Sequence, residues 1–305
     1  MAGTKIGWIG CGVMGRWMLQ HCMDAGYPAF VYSRTASKCQ PLVDRGAILC
    51  KSPAEVAKNA DAIFTIVGYP KDVEEVILGH DGVISGLKSR TSSKGSVVVD
   101  MTTSRPDLAQ RIAEELEAVG CHGLDAPVSG GDVGAKEGRL AIMVGGGQSG
   151  FDKVKDILKC MGNPEKGGKV ELLGPPGSGQ HTKMTNQILI ATNMIGVVEA
   201  LLYAQKAGLD VEKTIQVVAS GAAGSWSLSN YGPRMIKRNF DPGFYVEHFV
   251  KDMEIALDEA RRMNLSLPGL ALAHQLYVAL KAQGDSKKGT HALLLALERL
   301  NGVAN

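Results

Sequence analysis

The sequence predicts an α/β fold: an N-terminal, doubly wound, mostly parallel sheet followed by an all-α C-terminal domain. Three observations predict it. Short runs that are apolar on both faces alternate with helical stretches through the first half, as a covered parallel sheet requires. A glycine-rich turn stands between the first strand and the first helix. After Gly174-Pro175-Pro176-Gly177-Ser178-Gly179 strand signal almost ceases and long helical patterns take over. The boundary is accordingly placed at residue 174, giving domains 1–174 and 175–305.

The expected strands are Lys5–Ile9, Ala29–Tyr32, Ala62–Val67, Ser96–Asp100, Gly123–Pro127 and Leu140–Val144. The helices between them carry clear punctuation. Ser52-Pro53-Ala54-Glu55 reads as a capping box with proline at the first helical position. Gly26, Gly46 and Gly120 each follow a helical stretch, where a left-handed residue closes the helix. In the second half the helical patterns run roughly 180–207, 211–220, 250–263, 267–283 and 290–300.

Composition narrows the function classes. A chain of 305 residues can bury two substantial cores. Its net charge of +2 advertises neither nucleic acid nor an anionic membrane as partner. The longest apolar run, 187–204, is interrupted by Thr192, Asn193 and Glu199, so it reads as a buried helix, not a membrane span. The six cysteines form no C-x-x-C pair, and the seven histidines no H-x-x-x-H spacing. No metal site is expected, and the thiols read as reduced, in a cytoplasmic protein or a mitochondrial one whose transit peptide was trimmed.

Gly10-Cys11-Gly12-Val13-Met14-Gly15 is the dinucleotide fingerprint of a Rossmann domain. Gly10 permits the tight turn, Gly12 lets backbone approach a pyrophosphate, and Gly15 lets helix pack on strand. Val13 and Met14 lie in the same cradle, at the helix end whose free N–H groups favour anions. The second strand ends Val31-Tyr32-Ser33-Arg34-Thr35. The carboxylate that bonds the ribose 2′-hydroxyl of NAD is missing there. Ser33, Arg34, Thr35 and Lys38 offer donors to a 2′-phosphate, so NADP(H) is expected over NAD(H).

Two further motifs follow. Asp125-Ala126-Pro127-Val128-Ser129-Gly130-Gly131 leaves the carboxyl end of a strand, where open α/β sheets bind ligands. Ser129 offers a hydroxyl, and Gly130 and Gly131 offer N–H groups to an anion. Gly174-x-x-Gly177-x-Gly179-x-x-x-Lys183-x-x-Asn186-Gln187 opens the long helix, with Lys183 and Gln187 four apart on one face.

In this order the three motifs resemble the β-hydroxyacid dehydrogenase family over nearly the whole chain. The resemblance extends to Thr103, the Val67-Gly68-Tyr69-Pro70 loop, Gly221–Trp226, Phe244 and Lys251-Asp252. It implies a two-domain reductase or dehydrogenase of small carboxylates, assembling as a homodimer or homotetramer through its helical part. Lys183 matches the family's catalytic lysine. Ser129 and Gly130 match the holders of the substrate carboxylate, and Gly131 beside them is a further candidate for substrate binding. Val67, Gly68, Thr103 and Lys251 match cofactor contacts, and Phe244 and Asp252 border the active site. Many members place Asn four residues after the lysine. Here Gln187 stands there, preceded by Asn186, as in the tartronate semialdehyde reductase branch, and either amide can face substrate.

The expected reaction is hydride exchange between a nicotinamide and an aldehyde- or keto-acid, with Lys183 giving or taking the proton. Burial would favour its neutral, basic form. His181 is either a neighbour supporting Lys183 or a capping residue. Trp226, in a Ser225-Trp226 loop, either closes over substrate or packs a helix. The competing functions are an NAD-dependent 3-hydroxyisobutyrate dehydrogenase acting oxidatively and a cofactor-binding module without turnover. An imine reductase is disfavoured by Lys183.

Overall fold

The computed structural model describes residues 3–90 and 94–303. By packing, the chain divides into two units, one ending at Lys183 and the other beginning at Met184.

The first unit is built on a nine-stranded sheet. Its strands are β1 (Ile6–Ile9), β2 (Ala29–Tyr32), β3 (Ile48–Leu49), β4 (Ala62–Thr65), β5 (Val97–Asp100), β6 (His122–Asp125), β7 (Val128–Ser129), β8 (Ala141–Gly146) and β9 (Lys169–Leu172). The order is β3-β2-β1-β4-β5-β6-β8-β7, with β9 also on β8. The first six strands are parallel neighbours. β6 and β7 both pair antiparallel with β8 in one continuous register, interrupted at Ala126-Pro127. β9 returns parallel along β8.

Helices cover both faces, so each central strand is apolar on both sides. Ile6, Trp8, Phe64, Val97 and Val99 point into one core with α1 (Gly15–Asp24) and α8 (Gln148–Met161). Trp8 and Phe64 stack there at 5.5 Å. Ile9, Ile63 and Val98 point into the other, under α3 (Pro53–Asn59), α4 (Pro70–Leu78), α5 (Val83–Lys88) and α6 (Pro106–Glu117). The short α2 (Gln40–Val43) and α7 (Gly131–Glu137) complete the unit.

The second unit is helical. It takes the rest of α9 (Ser178–Lys206), then α10 (Val211–Ala219), α11 (Trp226–Ile236), α12 (Val246–Arg262), α13 (Pro268–Leu280) and α14 (Leu293–Leu300). Met194, Val198, Phe249, Met253, Tyr277 and Leu293 are buried in its core. Less than half of the most apolar window of α9 is buried, although this helix is long and apolar enough to cross a membrane. Leu189 and Tyr203 stand 66% and 76% exposed on it.

By packing, the start of α9 goes with the first unit, to which Gly177, Gln180 and Lys183 bond it. Several elements differ from expectation. β3 and β7 are only two residues long, too short for a periodic signal. β9 alternates Lys-Val-Glu-Leu at the sheet edge and was missed. α11 was missed because Gly232 and Pro233 interrupt its pattern. Trp226 therefore opens a helix capped by Ser225 and is not a loop residue. At α3 the Ser52 hydroxyl accepts from Glu55 N, but the Glu55 carboxylate accepts from Lys51 N, not from Ser52 N.

Candidate active site

The glycine turn after β1 has the shape a dinucleotide needs. Gly10 lies at φ +106°, and a Cβ there would sit 2.0 Å from the Ile66 carbonyl oxygen. A Cβ on Gly15 would sit 2.1 Å from the Gly10 oxygen, so only glycine lets α1 start this close to the strand. Gly12 faces open space. Met14 precedes α1 without any side-chain cap, and Val13 is exposed beside it. The turn leaves Gly12 open at the positive end of α1, where a pyrophosphate would be favoured.

At the end of β2, Ser33 is half-buried and Thr35 and Lys38 are exposed. The Arg34 side chain is 86% exposed, with its guanidinium 3.6 Å from Asp72. Asp72, in the first turn of α4, also accepts from Tyr69 N at 3.1 Å. The sequence reading found no acid on β2 itself. The fold brings one to Arg34 from α4.

The loops after β4 and β5 are tied together. Val67 N donates to the Thr102 hydroxyl at 2.9 Å. Asp100, fully buried at the end of β5, accepts from the Thr65 hydroxyl at 2.8 Å and from Thr102 N at 3.1 Å. Burial raises the Asp100 carboxyl to about 6, and those hydrogen bonds limit the rise. Val67, Gly68 and Thr103 are half-buried on these loops.

The motif at the end of β6 and the motif opening α9 meet. The Asp125 carboxylate accepts from Gly177 N and Gln180 N, both at 2.8 Å. It thereby satisfies N–H groups of the first turn of α9. Burial raises its carboxyl above the ordinary range, against those backbone bonds. Gly179 is required by the close approach: a Cβ there would sit 2.4 Å from the Met143 oxygen. One turn further, Lys183 is 7% exposed and its Nζ donates to the Val128 carbonyl oxygen at 2.9 Å. Ser129 is half-buried, one residue beyond that oxygen. Gly130 and Gly131 follow at φ +129° and +63°, giving consecutive backbone N–H groups an unusual curvature.

The second unit holds its own polar cluster. Gln187 is buried, and its Nε2 donates to Asp252 Oδ2. Its Oε1 accepts from Asn186 Nδ2 at 2.7 Å. The Lys251 ammonium lies 2.7 Å from Asp252 Oδ1. Phe244 is half-buried, edge-on to Phe249 at 5.8 Å and stacked with His248. Burial, helped by Lys251, lowers the His248 pKa. Trp226 is more than half exposed and packs edge-on against Tyr231. His181 is half-buried on α9.

The fold gathers the sequence-predicted Lys183, Ser129 and the glycines on the carboxyl side of the sheet. Sequence reasoning missed Asp125 as the anchor of α9, Gln180, and Asp72. Asp125 stood inside a motif read as a ligand loop, and nothing local reveals a partner 52 residues away.

A family model described as the NAD-binding domain of 6-phosphogluconate dehydrogenase matches residues 5–174. A second, described as NAD-binding of NADP-dependent 3-hydroxyisobutyrate dehydrogenase, matches 177–297. A probable mitochondrial 3-hydroxyisobutyrate dehydrogenase-like protein of Arabidopsis thaliana is 53% identical over 304 residues, covering 99% of this chain and 88% of its own. The 2-hydroxy-3-oxopropionate reductase of Escherichia coli is 38% identical, covering 96% and 97%. Among solved structures, Mycobacterium tuberculosis 3-hydroxyisobutyrate dehydrogenase with L-serine superposes at a TM-score of 0.85, with 25% identity over 96% of this chain and 99% of that one. With its uncapped dinucleotide turn and its buried lysine on the helix after the sheet, the chain belongs to the 3-hydroxyisobutyrate dehydrogenase family and is a nicotinamide-dependent oxidoreductase.

Proposed function

We propose that the protein is an NADP(H)-dependent reductase of small aldehyde- or keto-acids, interconverting them with hydroxyacids, with Lys183 as the general acid. The carrying observation is the placement of Lys183: buried, and bonded to the carbonyl oxygen of Val128, the residue that leads into Ser129 and the Gly130-Gly131 turn. A small carboxylate bonded to the Ser129 hydroxyl and the glycine N–H groups would bring its carbonyl to Lys183 Nζ. The nicotinamide, when bound, supplies or accepts the hydride. Lys183 would donate a proton to the carbonyl oxygen in reduction and take it back in oxidation. Asn186, one turn beyond Lys183, is the amide proposed to steady substrate. Gln187 is committed on both sides of its amide, to Asp252 and to Asn186. Relatives support the substrate class, since one reduces 2-hydroxy-3-oxopropionate and another was solved with L-serine.

The preference for NADP(H) rests on Ser33, Arg34 and Lys38 at the end of β2. One observation favours the rival reading, an NAD-linked dehydrogenase acting oxidatively: Asp72 lies beside Arg34 and would repel a 2′-phosphate. A steady-state panel of C2–C5 semialdehydes and hydroxyacids against NADPH and NADH decides. NADPH oxidation with glyoxylate or succinic semialdehyde is expected. Turnover with NADH alone would replace the cofactor assignment, and none with either would leave a binding module.

Self-association is proposed too, as a homodimer or homotetramer. The apolar face of α9 that exposes Leu189 and Tyr203 supports it, and sedimentation at micromolar concentration checks it. The six free thiols support a reducing compartment, cytoplasmic or mitochondrial.

A further inference from the structure

We infer that Gln180 is a positioning residue that sets the cofactor-contact loop of Thr103 against the proton donor Lys183. The inference rests on the roles proposed above for those two residues and extends them.

Gln180 is fully buried. Its Oε1 accepts from Ser104 N at 2.9 Å, and its Nε2 donates to the Thr102 carbonyl oxygen at 2.8 Å. One amide therefore bonds the backbone on both sides of Thr103. Its own backbone N donates to Asp125 at 2.8 Å. Lys183 follows three residues later on the same helix, held in turn by Val128 O. The first turn of α9 is thus clamped to the loop after β5 by Gln180, and to the β6–β7 segment by Asp125 and Val128. Thr102 extends the clamp to the loop after β4 through Val67 N.

The chemistry of the clamp is specific. It needs one donor and one acceptor on a neutral planar group. An apolar replacement leaves the Ser104 N–H and the Thr102 carbonyl without this partner. A carboxylate can accept from Ser104 N but meets the Thr102 oxygen with no proton to share. A protonated carboxyl restores both bonds. Misplacement of reacting groups by about 1 Å costs on the order of 100-fold in rate, so loosening this loop is expected to act on the chemical step.

Three variants test the inference: Gln180→Ala, Gln180→Glu and Lys183→Ala, each assayed with NADPH and glyoxylate at temperatures where circular dichroism shows it folded. For Gln180→Ala, kcat is expected to fall about 100-fold while the KM for glyoxylate moves less than threefold. The deuterium isotope effect from NADPH labelled at the transferred C4 position should rise as hydride transfer becomes limiting. For Gln180→Glu, kcat should approach wild type at the acidic end of the range. It should then fall through an inflection that wild type lacks, as the new carboxyl ionises. A Gln180→Ala enzyme with wild-type kcat and isotope effect, beside an inactive Lys183→Ala, overturns the inference alone. An active Lys183→Ala overturns the mechanism beneath it. Should Gln180→Ala fail to fold, Gln180→Glu still decides: a kcat profile parallel to wild type contradicts the clamp.

Discussion

Lys183 donates to the carbonyl oxygen of Val128 at 2.9 Å, and Ser129 is the next residue along. The proposed proton donor is therefore bonded to the backbone next to the proposed carboxylate anchor, an arrangement that suits a short substrate. Removing the anchor should weaken substrate capture more than chemistry. A hydrogen bond to a charged group contributes about 1.5–3 kcal/mol. Ser129→Ala is expected to raise the KM for carboxylate substrates about 10- to 100-fold with a smaller change in kcat. Unchanged KM with a collapsed kcat would move Ser129 from binding to chemistry.

The proposed preference for NADPH is tested at the Arg34–Asp72 pair. The arginine is mostly exposed, so screening limits what it contributes. Arg34→Ala is expected to raise the KM for NADPH about tenfold, at the weak end of charge-assisted bonding, and to leave that for NADH within twofold. Asp72→Asn keeps an oxygen for Tyr69 N and removes the charge, so it should favour NADPH. Equal effects of Arg34→Ala on both cofactors would contradict the assignment.

Much of this was legible beforehand, and the reasons are physical. Gly10 and Gly15 were readable because strand-to-helix turns of this tightness exclude every Cβ. Lys183 stood out as a candidate because it is one cation near the start of a long, largely apolar helix. Other features depend on tertiary partners that local patterns do not encode. Asp125 and Gly177 meet only once the sheet is assembled. Asp72 reaches Arg34 from a different βα unit. Helix α11 was hidden because Pro233 and Gly232 signal a break, and the packing of Leu228, Tyr231 and Met235 overrides that signal.

The helical unit carries a pH signature of its own. His291 stacks on Tyr231 at 4.6 Å, and its Nε2 hydrogen-bonds the Asn239 carbonyl at 2.8 Å. Among the described residues its Nδ1 has no hydrogen-bond partner. Burial lowers its pKa from 6.5 to about 4, so the folded state favours the neutral ring. That contribution is fully present above pH 6.5 and is lost as pH falls toward 4. Asp100 opposes it: its raised carboxyl takes up a proton in the folded state first, so its contribution grows as pH falls from 6 toward 4. Comparing wild type with His291→Phe by denaturant unfolding isolates the histidine. The advantage of wild type should shrink by roughly 2–3 kcal/mol between pH 7 and pH 4. A constant gap would show that His291 is not held neutral.

The most direct measurement is single-turnover hydride transfer by Lys183→Ala, followed as loss of NADPH absorbance after mixing with glyoxylate in a stopped-flow cell. The rate is expected to drop at least about 100-fold, with the NADPH dissociation constant within threefold of wild type. A variant that transfers hydride at near the wild-type rate would remove Lys183 from the mechanism.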